Sequence, residues 1–372
     1  MKQANGFEII QLFEQFSPRK YAVEGDSVGL QIGTLNKKVN KVIVTLDVLD
    51  EVVDEAIREK ADLIIAHHPP IYRPLKNLVT DSGKGSKFEK LIKHDIAVYV
   101  AHTNLDVAPG GVNDLLVDAL QLENAKVLVP TVHEELLKLV VYVPTEYEEA
   151  VRRALGDAGA GYIGNYSHCS YTSSGEGRFL PLSGSTPFVG THGEVEQVEE
   201  VRIETIVTSS NQKSVIRAMK AAHPYEEPAY DLFSLQNEGN TLGLGRIGVL
   251  NETMSLKDFA LYVKEKLEVD GVRVVGNLGD KVKKVAVLGG DGNKYIHSAK
   301  FKGADVFLTG DLYFHTAHDA MELGLNVVDP GHHVEKVMIK GVAKELKKRV
   351  ESAKIQVDVI PSTINTNPFT LI

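Results

Sequence analysis

The run Leu63-Ile64-Ile65 within ADLIIAHHPP offers no polar side chain to either face of a strand, so both faces must be covered. That is the condition of a strand inside a parallel sheet with helices on both sides. Pro69 and Pro70 end the run, and His67 and His68 stand between the strand and the prolines. Open α/β sheets place their ligand sites at the carboxyl ends of strands. A single histidine there is most simply a structural hydrogen-bonder. An adjacent pair points to a metal or to catalysis if partners exist elsewhere.

The same order occurs twice. VNKVIVTLDV (39–48), LDEVVDEAIREK (49–60) and ADLIIAHH read as strand, helix and strand, and VKKVAVLGGD (282–291), NKYIHSAKFK (293–302) and ADVFLTGD (304–311) repeat them. Val42 to Leu63 and Val285 to Val306 are each twenty-one residues apart, and both second strands open on Ala-Asp. Each copy continues into a third strand ending in histidine and carboxylate, IAVYVAHTNLD (96–106) and LNVVDPGHHVE (325–335). The first of these is delayed by a polar loop around Asp81 to Ser86 and a helix near Phe88 to Lys93. The expected fold is α/β: two pseudo-repeated βαβ halves, residues 1–129 and 243–372, forming a metal-binding core with its site in the cleft between them.

Residues 130–242 interrupt the repeat. LLKLVVYVP, TEYEEAVRRALGDAG, VEEVRIETIVT, NQKSVIRAMKAAHP and AYDLFSL suggest a ferredoxin-like α+β inserted domain. The glycine- and serine-rich stretch Ser170 to Phe188 reads as a long loop or hairpin, more simply a solvated loop than a lid. HPYEEPAYD (223–231) reads as a brace for this region.

Charge and cysteine usage narrow the chemistry. With 41 basic and 50 acidic side chains among 372, the net charge is -9, a poor match to a nucleic-acid backbone. Cys169 is the only cysteine, so an intramolecular disulfide and a cysteine-based zinc site are excluded, and any metal must use His, Asp and Glu. No apolar run approaches the roughly 18 residues of a membrane span, and the start does not read as a signal peptide. The expected setting is cytoplasmic.

Five residues of metal-binding type fall at the converging strand ends: His67, His68, Asp106, His332 and Glu335. Imidazole and carboxylate suit zinc, iron or manganese. His67 and His68 can each address one ion, and Asp106 has two oxygens with which to bridge a pair. His332 and Glu335 are three apart at the start of a helix, hence on one face. His102 and His333 read as local hydrogen-bonders, His318 as structural, and Asp26, in EGDSVGLQIG, as part of a connector first and a group facing substrate second. Asp311 and His315 belong to the second copy's equivalent of the histidine pair, where His315 suits proton transfer. GGDGNK (289–294) is a tight turn first and a phosphate cradle second.

The segments DSVGLQIG, IIAHHPP, AHTNLDVAPGGVND, TGDLYFHTAHDA and GHHVEK resemble the family named GTP cyclohydrolase I type 2, also called NIF-three-like. They cover both outer portions of the chain. The resemblance implies metal ligands at His67, His68, Asp106, His332 and Glu335, with His315 near two divalent ions, zinc first and iron or manganese as alternatives. Many members space the last histidine and glutamate four apart, and the three-residue spacing here leaves His333 as an alternative ligand. The resemblance further implies an insertion of the PII and CutA type, a homohexamer and ring opening of GTP. Two functions follow: a dinuclear-metal hydrolase acting on a nucleotide or related small molecule, or a noncatalytic metal-binding regulator or scaffold whose insertion senses a ligand or partner.

Overall fold

The computed structural model describes residues 2–81 and 83–372. The chain divides into two compact units, Met1–Val132 with Leu242–Ile372, and His133–Thr241.

The first unit is built on two large sheets. One has the strand order Asp358–Pro361, Lys41–Thr45, Leu63–Ala66, Ala97–Val100, Gly29–Ile32, parallel except for its last pair. Leu63 and Ile65 join one core, and Ile64 and Ala66 join another, all fully buried. The apolar run is therefore covered on both faces, and the helices Asp50–Arg58 and Gly83–Lys93 bury Val53, Ala56, Phe88 and Leu91 on the Ile64 side. Residues 83–86, expected in a polar loop, form the first turn of the second of these helices, and Ser82 lies outside the described residues.

The second sheet runs Arg273–Val275, Asn326–Asp329, Val306–Gly310, Lys281–Asp291, Thr241–Ser255, Glu123–His133. Its three central strands are parallel, with Val285 opposite Val306, just as Val42 stands opposite Leu63. The two sheets also share a local device. Asp62 Oδ2 accepts the amides of Asn40 and Lys41, and Asp305 Oδ2 accepts those of Lys283 and Lys284, so each Ala-Asp acid fastens its strand to the start of the neighbouring one. The largest core joins the inner face of the first sheet (Val42, Leu63, Tyr99) to that of the second (Val285, Val306, Val328), with the helix Val337–Ser352 contributing Met338, Val342 and Leu346.

The second unit is a four-stranded antiparallel sheet, Tyr230–Ser234, Leu136–Pro144, Glu196–Thr208, Ser170–Phe179. Val151, Leu155, Val215 and Met219 of the helices Glu148–Asp157 and Gln212–Ala222 complete its core. The glycine-rich stretch takes the hairpin alternative in its first ten residues and is loop over 180–188. Ser170–Phe179 is a ten-residue strand paired along its length with Glu196–Thr205. Glycine has a packing role there, because a Cβ on Gly177 would lie 2.2 Å from Glu200 Oε2. His223 and Tyr225 brace this unit through Tyr142 O and Glu200.

Candidate metal centre

Strand ends carry the site. The pairing of Lys41–Thr45 with Leu63–Ala66 continues past both strands, with the amides of His67 and His68 donating to Thr45 O and Leu46 O. The Ala97–Val100 strand leads to His102 and the short helix Thr103–Val107, which carries Asp106. Asn326–Asp329 leads to the 3₁₀ segment His332–Lys336. With three residues per turn, positions three apart eclipse, so His332 and Glu335 align on one side. This accounts for the three-residue spacing.

The side chains meet around one oxygen. Glu335 Oε2 lies 3.0 Å from His68 Nε2, 3.2 Å from His332 Nε2 and 3.7 Å from His67 Nε2. Asp106 Oδ1 is 3.7 Å from His67 Nε2. Three sets of donors have their atoms within 4.8 Å of one another: His67 with His68 and His102, His68 with His332 and Glu335, and His67 with Asp106 and Glu335. His333 belongs to none of them.

Each imidazole is held by its other nitrogen. His67 Nδ1 is 2.9 Å from Ala101 O, His68 Nδ1 2.7 Å from Asp47 Oδ1, His102 Nδ1 2.8 Å from Asp26 Oδ1, and His332 Nδ1 2.6 Å from Asp311 Oδ2. Carbonyl and carboxylate oxygens accept only, so every Nδ1 carries the hydrogen and donates. In the neutral ring each Nε2 then presents a lone pair, the arrangement in which metal-ligating histidines are oriented by an outer partner. Asp311, on the left-handed side at φ 52°, stands between strand and site where backbone strain is common.

Charge at the site is tightly balanced. Burial disfavours a charged His68, but Asp47 and Glu335 overcome it and raise the pKa to about 10. His332, likewise buried, is held at about 9 by Glu335 and Asp311. Burial, with the Glu335 charge, pushes Asp106 up to about 6 against the pull of His67. Burial would also raise Glu335, yet the imidazoles keep it well below the ordinary carboxylate range.

A metal fits this donor set. Buried His67 Nε2 and Asp106 Oδ1 have no hydrogen-bond partner, a costly state unless a cation supplies one. Ligand atoms about 2.1 Å from a shared zinc stand about 3.4 Å apart in a tetrahedron, close to the separations here. The GGDG stretch has a role other than phosphate binding. The strand Lys281–Asp291 is irregular between Leu288 and Asp291, and a Cβ on Gly290 would lie 2.7 Å from Glu335 Oε1 and 3.2 Å from His332 Nε2. The glycines let backbone close over the donors.

A cleft of about 900 Å³ opens beside the cluster, lined by His68, His332 and His333 and by apolar Leu46, Leu49 and Val272. His315 is elsewhere: exposed at the start of the helix Phe314–Glu322 with its ring against Phe314, outside both the donor groups and the cleft lining. The sequence reads His102 as a local hydrogen-bonder and Asp26 as a connector residue first, and does not single out Asp47. Asp26 in particular fixes both His102 and Thr103, at a separation of some 76 positions that no local pattern signals.

The fold and site define an α/β protein whose strand ends converge on a buried cluster that could hold a metal ion. The profile of the Duf34/NIF3 (NGG1p interacting factor 3) family matches residues 4–368, and the chain belongs to that family. It is 61% identical over 371 residues, the full length of both chains, to the "GTP cyclohydrolase 1 type 2 homolog" of Bacillus subtilis. Among solved structures, a Bacillus cereus protein related to NIF3 is 59% identical with a TM-score of 0.96, and Staphylococcus aureus protein SA1388 is 33% identical with a TM-score of 0.77. Both matches cover each chain completely. Among the described residues no helix is long and apolar enough to cross a membrane.

Proposed function

We propose that this chain is a dinuclear-metal-dependent hydrolase acting on a nucleotide or related small molecule. The observation that carries the reading is the convergence of Nδ1-anchored imidazoles and two buried carboxylates, with His67 Nε2 and Asp106 Oδ1 facing each other at 3.7 Å and neither making a hydrogen bond. His67, His68, Asp106, His332 and Glu335 would hold the ions. Zinc suits these donors first, with iron or manganese as alternatives. Bound divalent cations supply charge that polarises the substrate and lowers the pKa of water. The chain's own residues fix the donors through Asp47, Asp311 and Ala101 O, and Leu46, Leu49 and Val272 give the cleft one apolar wall. His315 enters only if substrate extends to its exposed turn, where it would transfer a proton.

The name of the Bacillus subtilis relative supports trying GTP first. Purified chain loaded with zinc or manganese, incubated with GTP and other nucleotides, should show turnover that His67→Ala abolishes. Equal rates for the two count against hydrolysis.

A second reading, a noncatalytic metal-binding regulator or scaffold, is favoured by a separate cleft of about 900 Å³ in the His133–Thr241 unit, lined by Tyr142, Phe179, Glu200 and Tyr225. Ligand sensing there would change assembly without consuming ligand. Our reading also takes the outer segments, 1–129 and 243–372, as a duplicated core, supported by the matching registers and the paired roles of Asp62 and Asp305. Residues 130–242 are read as a ferredoxin-like insertion of the PII and CutA type, the assembly as a homohexamer, and the setting as cytoplasmic.

A further inference from the structure

The C-terminal residues leave the five-stranded sheet at Pro361 and pass beside the metal centre. Two ties hold their start: Ser362 and Thr363 donate to the carboxylate of Glu55. Three residues on, Thr366 is 6% exposed, and its hydroxyl donates to Asp47 Oδ2 at 2.5 Å. Asp47 gives its other oxygen to His68 Nδ1 at 2.7 Å. A carboxylate tied only to an imidazole can rotate, carrying the ring with it. One tied at both oxygens fixes the ring's direction as well as its tautomer.

We propose that Thr366 is a positioning residue for the metal centre, aiming His68 Nε2 through Asp47, so that docking of the C-terminal segment and retention of metal at His68 are one event. The same segment lines the cleft through Asn367, Phe369 and Leu371, so the chain end that aims the histidine also walls the space in which a ligand would sit. The anchoring at Glu55 is separate, which leaves the segment tethered when the Thr366 hydroxyl is removed.

The inference rests on the metal-centre reading, and the experiment separates the two. Full-length protein is stripped with chelator, and zinc affinity is measured by competition with a chromophoric chelator for wild type, Thr366→Val, Thr366→Ser, Asp47→Asn and the Thr366→Val/Asp47→Asn double variant. Loss of an outer partner of a ligating histidine typically weakens binding about 10- to 100-fold. Thr366→Val should therefore bind about tenfold more weakly, and Thr366→Ser, which keeps the hydroxyl, should come within about twofold of wild type. Asp47→Asn should lose at least as much, with no further loss in the double variant. Thr366→Ala gives the same cycle should the valine not fold. Wild-type affinity in Thr366→Val, failure of serine to restore it, or a full additional loss in the Asp47→Asn background overturns the positioning role. Wild-type protein that takes up no zinc overturns the metal centre and this role with it.

Discussion

His68 and Glu335 are 267 positions apart in the chain and 3.0 Å apart in space. One closes a parallel strand and the other opens a helix, and the core that unites the two sheets brings them together. Glu335 is nearly inaccessible and faces three imidazoles, so its charge, with Asp47 at His68, Asp106 at His67 and Asp311 at His332, draws protons to them in the metal-free state. Glu335→Gln should lower the His68 and His332 pKa values toward the ordinary range and weaken zinc binding more than 10-fold, the lower bound for losing even an outer partner. Histidine titration by NMR and zinc competition check the two halves.

Protons and metal should compete. With His68 raised to about 10 and His332 to about 9, both are protonated at neutral pH before metal arrives, and ligation requires the neutral ring. Zinc uptake at pH 7 should release protons into a weak buffer, and affinity should fall as pH is lowered. The metal-free folded chain holds these two protons more tightly than the unfolded chain does. Both folded values lie above the ordinary 6.5, so their stabilising contribution is complete below pH 6.5 and disappears as pH rises through about 9 and 10. Urea unfolding of stripped protein should show lower stability at pH 10.5 than at pH 7, and zinc should offset the difference.

What the sequence displays of this site is what strand ends display. His67 and His68 announce themselves because an apolar run stops at them, and His332 with Glu335 because a helical pattern begins there. Asp47, Asp26 and Thr366 are silent, since each acts on a partner 21, 76 or 319 positions away and nothing nearby distinguishes it from an ordinary turn residue. The Ser170–Phe179 arm of the hairpin is ambiguous in sequence for a related reason. Its composition is that of a loop, and only the partner strand, with the Glu200 side chain packed over Gly177, gives glycine a place in a ladder.

The C-terminal anchor makes its own prediction. Burial would raise the Glu55 carboxyl, but the hydroxyls of Ser362 and Thr363 and the Thr363 amide hold it below the ordinary 4.5. A depressed value means the stabilisation is present above about pH 4.5 and is lost as pH falls through the folded value. Glu55→Ala removes the acceptor for three donors and should cost about 3 kcal/mol at neutral pH, with much of the difference from wild type gone in acid. Denaturant unfolding at pH 7 and pH 3.5 reads both.

Two glycines with positive φ near the site separate backbone strain from donor geometry. Gly290 sits at φ +67 with its Cβ direction blocked by Glu335 and His332, whereas Gly331 sits at φ +85 with nothing within 4 Å. Alanine at either position meets a positive φ that side-chain-bearing residues rarely adopt, at a cost of about 1–3 kcal/mol, and at Gly331 the ψ of 160° adds a region essentially confined to glycine. Only Gly290→Ala must also move Glu335 Oε1. Both variants should lose thermal stability from the backbone, but Gly290→Ala alone should also lose zinc affinity. Matched affinities in the two would mean that the donor cluster tolerates displacement of Glu335, and that the glycine serves the strand rather than the metal.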